Sequence, residues 1–184
     1  MEHNIRLPLT KEKAAAIKSG DTVYLTGELY TARDAAHKRI AELLEQGGEL
    51  PFQLEGAVIY YVGPTPAKPG QVIGSAGPTT SSRMDTYTPQ LIKLGLLGMI
   101  GKGKRTVEVV NAIKETGAVY FGAIGGAGAL LASCIKSCEI VAFPDLGAEA
   151  VHRIYVENFP VVVIIDGAGD NLYQNGRKAY LENI

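Results

Sequence analysis

Residues 160–167, PVVVIIDG, run apolar until Asp166 and have no face suited to water. A strand of that kind must be covered on both sides, so it reads as the centre of a sheet. The rest of the chain supplies the covering parts. DTVYLTG (21–27), AVIYYVG (57–63), QVIGSAG (71–77), AVYFGAI (118–124), CEIVAFP (138–144) and VHRIYVEN (151–158) have the β-branched and aromatic content of strands. Between them, KEKAAAIKSG, TARDAAHKRIAELLEQGG, TPQLIKLGLLG, VEVVNAIKETG and GAGALLASCIKS read as helices. In the second of these, Ala36, Ile40, Leu43 and Leu44 recur at helical spacing, and Gly47 and Gly48 stop the helix. Thr88 and Pro89 read as the N-cap and first position of a further helix. The alternation specifies an α/β domain, with a few consecutive strands available for a second layer.

No linker, repeat or charge block divides the chain, so residues 1–184 are expected to form a single domain. The formal net charge of −1 provides no basic field for nucleic acid or an anionic membrane. The polar start, MEHNIRLPLTKEK, is unlike a signal peptide, and the most apolar stretch is glycine-rich and short for a membrane span. A soluble, reducing, cytoplasmic setting is expected. The two cysteines, Cys134 and Cys138, are too few for a self-contained zinc or iron–sulfur site and read as small residues on one helix. No metal ligands are therefore assigned to this chain. The 22 glycines, without collagen period or low complexity, point to tight turns and close backbone approaches.

Four motifs could carry chemistry. In Thr31-Ala-Arg33-Asp34-Ala-Ala-His37, the Thr31–Asp34 spacing resembles a capping box that would open a helix at Thr31. Arg33 would then lie in the first turn, either paired with a local carboxylate such as Asp34 or forming an anion site with the free N–H groups. His37, one turn on, could orient Arg33, reach the same pocket, or simply pack. The second motif, Gly77-Pro78-Thr79-Thr80-Ser81-Ser82-Arg83-Met84-Asp85, places consecutive hydroxyls before an arginine. Such a string makes a solvated loop or a set of donors around an anion, and its position between strand ends and a helix favours the latter.

The third motif, Gly98 to Arg105, nearly matches GxxxxGK[ST]. Arg105 stands where Ser or Thr would bind Mg²⁺, and a helix is expected before it, so a nucleotide site is rejected. Lys102, framed by Gly101 and Gly103, is suited to enter a site that backbone approaches closely, whereas Lys104 and Arg105 read as a basic surface turn. In the fourth, Gly122-Ala-Ile-Gly125-Gly126-Ala-Gly128, Leu131 occupies the third glycine position of a dinucleotide fingerprint, which leaves close helix packing as the reading. Arg33, Arg83 and Lys102 imply an anionic ligand. They bind and polarise without completing a reaction, so a partner chain is expected to supply the remainder.

Taken together, TGELYTARDAAHKR, GPTPAKPGQVIGSAGPTTSSRMDTY, GMIGKG, AVYFGAIGGAGALLA and YVENFPVVVIIDGAGDNLY resemble the β subunit of class I fumarate hydratase. The same module is the β subunit of L(+)-tartrate dehydratase and the C-terminal half of single-chain class I fumarases. The resemblance covers nearly the whole chain in order. The family often has Gly where Ser82 stands, and its tail after the last strand varies. The resemblance implies a swivelling β/β/α domain and reversible hydration of a four-carbon dicarboxylate, fumarate to (S)-malate. It also implies a [4Fe–4S] cluster held by a partner α subunit in an α2β2 assembly, where the cluster acts as a Lewis acid. By position, Arg33 and Arg83 would hold substrate carboxylates, with Thr80 and Ser81 beside them. Lys102 would reach the same pocket, and Thr79 would be the proton-abstracting base, its alkoxide stabilised by a nearby cation. Asp34, His37 and Asp85 would support these groups. Tartrate dehydration to oxaloacetate is the alternative reaction, and a stand-alone dicarboxylate-binding module is the non-catalytic one.

Overall fold

The computed structural model of this chain describes residues 1–124 and 126–182. Its strands are β1 (Glu2–Arg6), β2 (Thr22–Thr31), β3 (Val58–Tyr60), β4 (Gly98–Gly101), β5 (Val119–Gly122), β6 (Ile135–Ala142) and β7 (Val151–Ile165). The helices are α1 (Lys11–Ala15), α2 (Asp34–Glu45), α3 (Thr88–Lys93), α4 (Val107–Thr116), α5 (Gly128–Ser133) and α6 (Leu172–Glu182), with 3-10 turns over Ser81–Met84 and Pro144–Glu149.

The sheet order is β1-β2-β3-β4-β5-β7-β6, and β2 also pairs with β7. β1 to β5 run parallel, whereas β7 is antiparallel to β2, β5 and β6. The β2–β7 pairing closes β2, β3, β4, β5 and β7 into a small barrel-like ring. β7 achieves this because it is long: Thr31 to Thr22 of β2 pair along His152 to Val162, while Val162 to Ile165 pair with β5. The apolar run at 160–167 is therefore central, flanked on both edges as its composition requires.

Side-chain alternation divides the core in two. Val58 and Tyr60, Ile100, Val119 and Phe121, and Val161 and Val163 meet inside the ring. Their neighbours Ile59, Met99, Tyr120 and Ile164 point outward, beneath Ile40 of α2, Leu91 and Ile92 of α3, and Val109 and Ile113 of α4. Helices α2, α3 and α4 thus cover the outer face, while Ala14 of α1 and Leu131 of α5 join the inner cluster, so one sheet serves two apolar cores.

The mixed α/β class stands, and several local expectations are corrected. Residues 71–77 form no strand. They lie in the long loop after β3, where Ser75 and Ala76 bond to Thr65 and Gly128 rather than to a sheet edge. Thr31 does not open α2. It ends β2, and its hydroxyl bonds His152 across the sheet at 3.1 Å, so Arg33 becomes the N-cap, without a side-chain cap bond. Thr88 is likewise inside α3, behind the N-cap Tyr87, and its hydroxyl donates back to Met84 O. Cys134 and Cys138 do not share a helix, because β6 begins at Ile135: Cys134 closes α5 and Cys138 lies in β6. VHRIYVEN and PVVVIIDG are one strand. Gly98–Gly101 is a buried strand and not the end of a helix, so one of the two grounds against a nucleotide loop falls. Gly125 of the fourth motif lies outside the described residues. Among the described residues, no helix is long and apolar enough to cross a membrane.

Candidate functional site

Because β2, β3 and β4 are parallel, their C-terminal ends share one edge of the sheet, the edge at which α/β proteins bind ligands. Arg33 and Asp34 follow β2, residues 63–85 follow β3, and Lys102 follows β4. The topology therefore gathers the three separated cation motifs at one edge.

Asp34 joins two of them. Its Oδ2 accepts a hydrogen bond from Arg33 Nε at 3.1 Å, and its Oδ1 forms an ion pair with Arg83, 2.7 Å from Nε. A second carboxylate, Glu149, stands 3.3 Å from Arg33 Nε and caps α2 by accepting the Ala35 N–H at 2.8 Å. Arg33 reaches this position across Gly63, where a Cβ would come within 2.9 Å of its Cδ and 3.0 Å of its Nη1. Burial pushes the Asp34 carboxyl up, but its own backbone N–H together with Arg33 and Arg83 outweighs this and holds it below the ordinary aspartate range. Both arginines face Asp34 through Nε. Between them they carry more N–H donors than Asp34 and Glu149 can accept from, which leaves guanidinium edges for a further carboxylate.

His37 supports this cluster from inside. It is fully buried, its Nδ1–H donates to Arg33 O at 3.0 Å, and the same carbonyl takes the His37 backbone N–H at 2.9 Å. Its ring meets Tyr61 edge-on at 5.3 Å. Burial, reinforced by the Arg105 charge, lowers its pKa to about 4, so the imidazole is neutral near pH 7. His37 Nε2 is buried without a protein partner among the described residues.

The hydroxyl string is anchored by backbone. Thr79 N–H donates to Tyr61 O at 2.8 Å, and Ser81 N–H to Lys102 O at 2.9 Å, with Thr80 and Lys102 forming a parallel bridge. Lys102 is thereby fixed beside Thr80, and both side chains are exposed. Ser81 points inward instead: its hydroxyl is buried and bonds the Tyr120 hydroxyl at 2.9 Å. Gly101 is required here, because a Cβ would collide with Ser81 Oγ.

Asp85 does not face the arginine cluster. Its Oδ1 accepts from Arg105 Nε at 2.7 Å and its Oδ2 from Thr106 N–H at 2.6 Å. The reading of Arg105 as a surface residue is therefore overturned: its side chain is fully enclosed. Turned into the core, it also leaves the remaining ground against a nucleotide loop in place. Sequence reading missed Arg105 and Glu149 as members of the site. Each pairs with a residue distant in the chain, and only the departure from the GxxxxGK[ST] pattern marked Arg105 at all.

A cleft of about 600 Å³ between α3 and α4 takes in Ser82, Asp85, Lys93 and Glu108, and does not include Arg33, Arg83 or Lys102. The cation cluster lies instead on the open edge, with the Arg83 side chain 51% exposed. Cys134 and Cys138 are half-buried against the inner core, and burial raises the Cys138 thiol's pKa. Among the described residues no three His, Cys, Asp or Glu side chains are grouped to hold a metal ion. Among the described residues, this chain thus offers no ligand set for an iron–sulfur cluster.

Fold and site define an α/β module with a small closed sheet and a carboxylate-linked arginine pair at the strand ends. The chain belongs to the Fumarase C-terminus family, whose model matches residues 1–176. It is 41% identical over 182 residues to a protein of Methanocaldococcus jannaschii named "Putative L(+)-tartrate dehydratase subunit beta", covering 96% of this chain and 93% of that one. It is also 41% identical over 152 residues to the aerobic class I fumarate hydratase of Escherichia coli strain K12, and 38% over 174 residues to fumarate hydratase 2 of Leishmania major. The matches cover 82% and 92% of this chain but only 28% and 31% of those two enzymes. The resemblance seen in the motifs is thus borne out at the level of the family, and these relatives are named as a tartrate dehydratase subunit and as fumarate hydratases.

Proposed function

We propose that this chain is the carboxylate-binding half of a hydro-lyase that hydrates fumarate to (S)-malate, as the β subunit beside a cluster-bearing α subunit. The observation that carries the reading is the Arg33–Asp34–Arg83 bridge at the edge of the parallel strands, with Lys102 tied to Thr80 alongside. Arg33 and Arg83 offer their remaining guanidinium donors to the substrate carboxylates, and Thr80 borders them. Thr79 is the proton-abstracting base, with the Lys102 ammonium to stabilise the developing alkoxide. Asp34 and Glu149 orient Arg33, and His37 fixes the Arg33 carbonyl. The [4Fe–4S] cluster, a Lewis acid in this reaction, belongs to the α subunit in this reading, and this chain's residues bind, orient and move the proton. The family resemblance supports a swivelling-domain architecture, an α2β2 assembly and a cytoplasmic location.

A second reading, dehydration of L(+)-tartrate, is favoured by one observation: the M. jannaschii relative matches this chain almost end to end. The substrates differ by a hydroxyl, and the contact that discriminates it could sit in the other subunit.

The test is to purify the chain with its α subunit under anaerobic conditions and to assay fumarate, malate and L(+)-tartrate side by side. Arg83→Ala is expected to lower kcat/KM by about two orders of magnitude, corresponding to roughly 3 kcal/mol for a lost charge-assisted carboxylate contact. Unchanged activity in that variant would remove Arg83 from the site.

A further inference from the structure

Arg105 and Tyr120 form a buried brace under the proposed site. Arg105 Nε donates to Asp85 Oδ1 at 2.7 Å and its Nη2 to Thr88 Oγ1 at 3.0 Å. Its guanidinium carbon lies 4.8 Å from the Tyr120 ring centroid and 5.3 Å from that of Tyr61. The Tyr120 hydroxyl donates to Gly103 O at 2.9 Å, so its oxygen accepts the Ser81 hydroxyl proton, also at 2.9 Å. Asp85 completes the set by accepting the Thr106 N–H. These polar bonds link the same two stretches: residues 81–88, which carry Arg83, and residues 102–106, which begin at Lys102.

A buried ion pair is a poor source of stability compared with apolar packing of similar volume, because desolvation offsets most of the attraction. What it provides is direction, since the guanidinium fork and the carboxylate fix angles as well as distance. We propose that Arg105 and the Tyr120 hydroxyl are positioning residues that hold the Arg83 turn and the Lys102 loop in one relation. They thereby set the spacing between the carboxylate-binding arginine and the cation that assists proton transfer. This rests on the hydro-lyase reading above.

Tyr120→Phe is the sharpest probe, because it keeps the ring beneath Arg105 and removes only the oxygen joining Gly103 and Ser81. In the complex with the α subunit, kcat per folded enzyme is expected to fall at least tenfold. KM is expected to move less than threefold, because the Arg33–Asp34–Arg83 bridge is untouched. Arg105→Lys, which keeps the charge and loses the bond to Thr88, should lower kcat in the same direction, whereas Arg105→Met should lower it further. A lower melting temperature with wild-type kcat and KM per folded enzyme would reduce the brace to a structural role and overturn the proposal.

A readout on the chain itself separates this outcome from failure of the hydro-lyase reading. The amides of Ser81 and Thr106 donate to Lys102 O and Asp85 Oδ2, one across each side of the brace. In Tyr120→Phe and in Arg105→Lys both amides should exchange hydrogen faster together. If the wild-type complex turns over none of the three substrates, the hydro-lyase reading fails while this coupling is still measured. Faster exchange at only one amide, or at neither, overturns the brace.

Discussion

Asp34 and His37 impose order on Arg33 from opposite directions, one through the guanidinium and one through the carbonyl. Histidine burial has a pH signature. Free histidine titrates near 6.5, whereas His37 in the folded chain titrates at about 4. Between these values the unfolded chain holds a proton that the folded chain refuses, so stability rises with pH across the window. The contribution is complete above pH 6.5 and is lost progressively as pH falls toward 4, amounting to roughly 3 kcal/mol. His152, also held below its ordinary value by burial, adds a slope of the same sign. The comparison is therefore with His37→Asn, whose amide can keep the bond to Arg33 O without titrating. Urea midpoints of the wild type should fall more steeply than those of the variant between pH 6.5 and pH 4. Parallel curves would show that His37 is not the buried neutral group described.

Among the elements, β4 contributes most to the site for its size. Gly98 and Gly101 bound a four-residue strand that pairs with β3 on one side and β5 on the other. A Cβ at Gly98 would come within 2.7 Å of Val58 Cγ2, and one at Gly101 would strike Ser81 Oγ. Gly101→Ala must therefore displace Ser81 and the turn bearing Arg83. The expected cost is about 1–3 kcal/mol by urea unfolding, the usual range for an overpacked core, together with loss of turnover in the α–β complex. A variant as stable and as active as the wild type would show that the close approach is not required. The same element marks the limit of sequence reading. α2 and α4 were legible because their apolar residues repeat at helical spacing and lie on one buried face. GMIG carries no such period, and its strand conformation comes from two neighbours far along the chain. Arg33, Arg83 and Lys102 were legible as residue types in unusual settings. The inward turn of Ser81 toward Tyr120, the Arg105–Asp85 pair and the reach of Glu149 across 114 residues to Ala35 were not, because each is a tertiary contact with no local pattern.

At the scale of the whole molecule, closing the ring through β7 leaves the parallel strand ends as an open rim, with the cations on it. Net charge is −1, so in the proposed reading the attraction for a dianion is local and comes from Arg33, Arg83 and Lys102. Arg33 and Arg83 already share Asp34, and Arg83 and Lys102 stand in solvent. Exposed carboxylate–cation contacts contribute about 1 kcal/mol or less each, whereas even millimolar affinity needs about 4 kcal/mol. The isolated chain should therefore show no saturable calorimetric binding of malate or fumarate below the millimolar range, and weak heats should vanish as salt is added. In the proposed assembly, an α subunit closing the rim would exclude water and strengthen the same guanidinium contacts, so saturable binding should appear only in the complex. Micromolar binding of malate by the isolated chain would reverse the conclusion and establish it as a self-sufficient dicarboxylate-binding module.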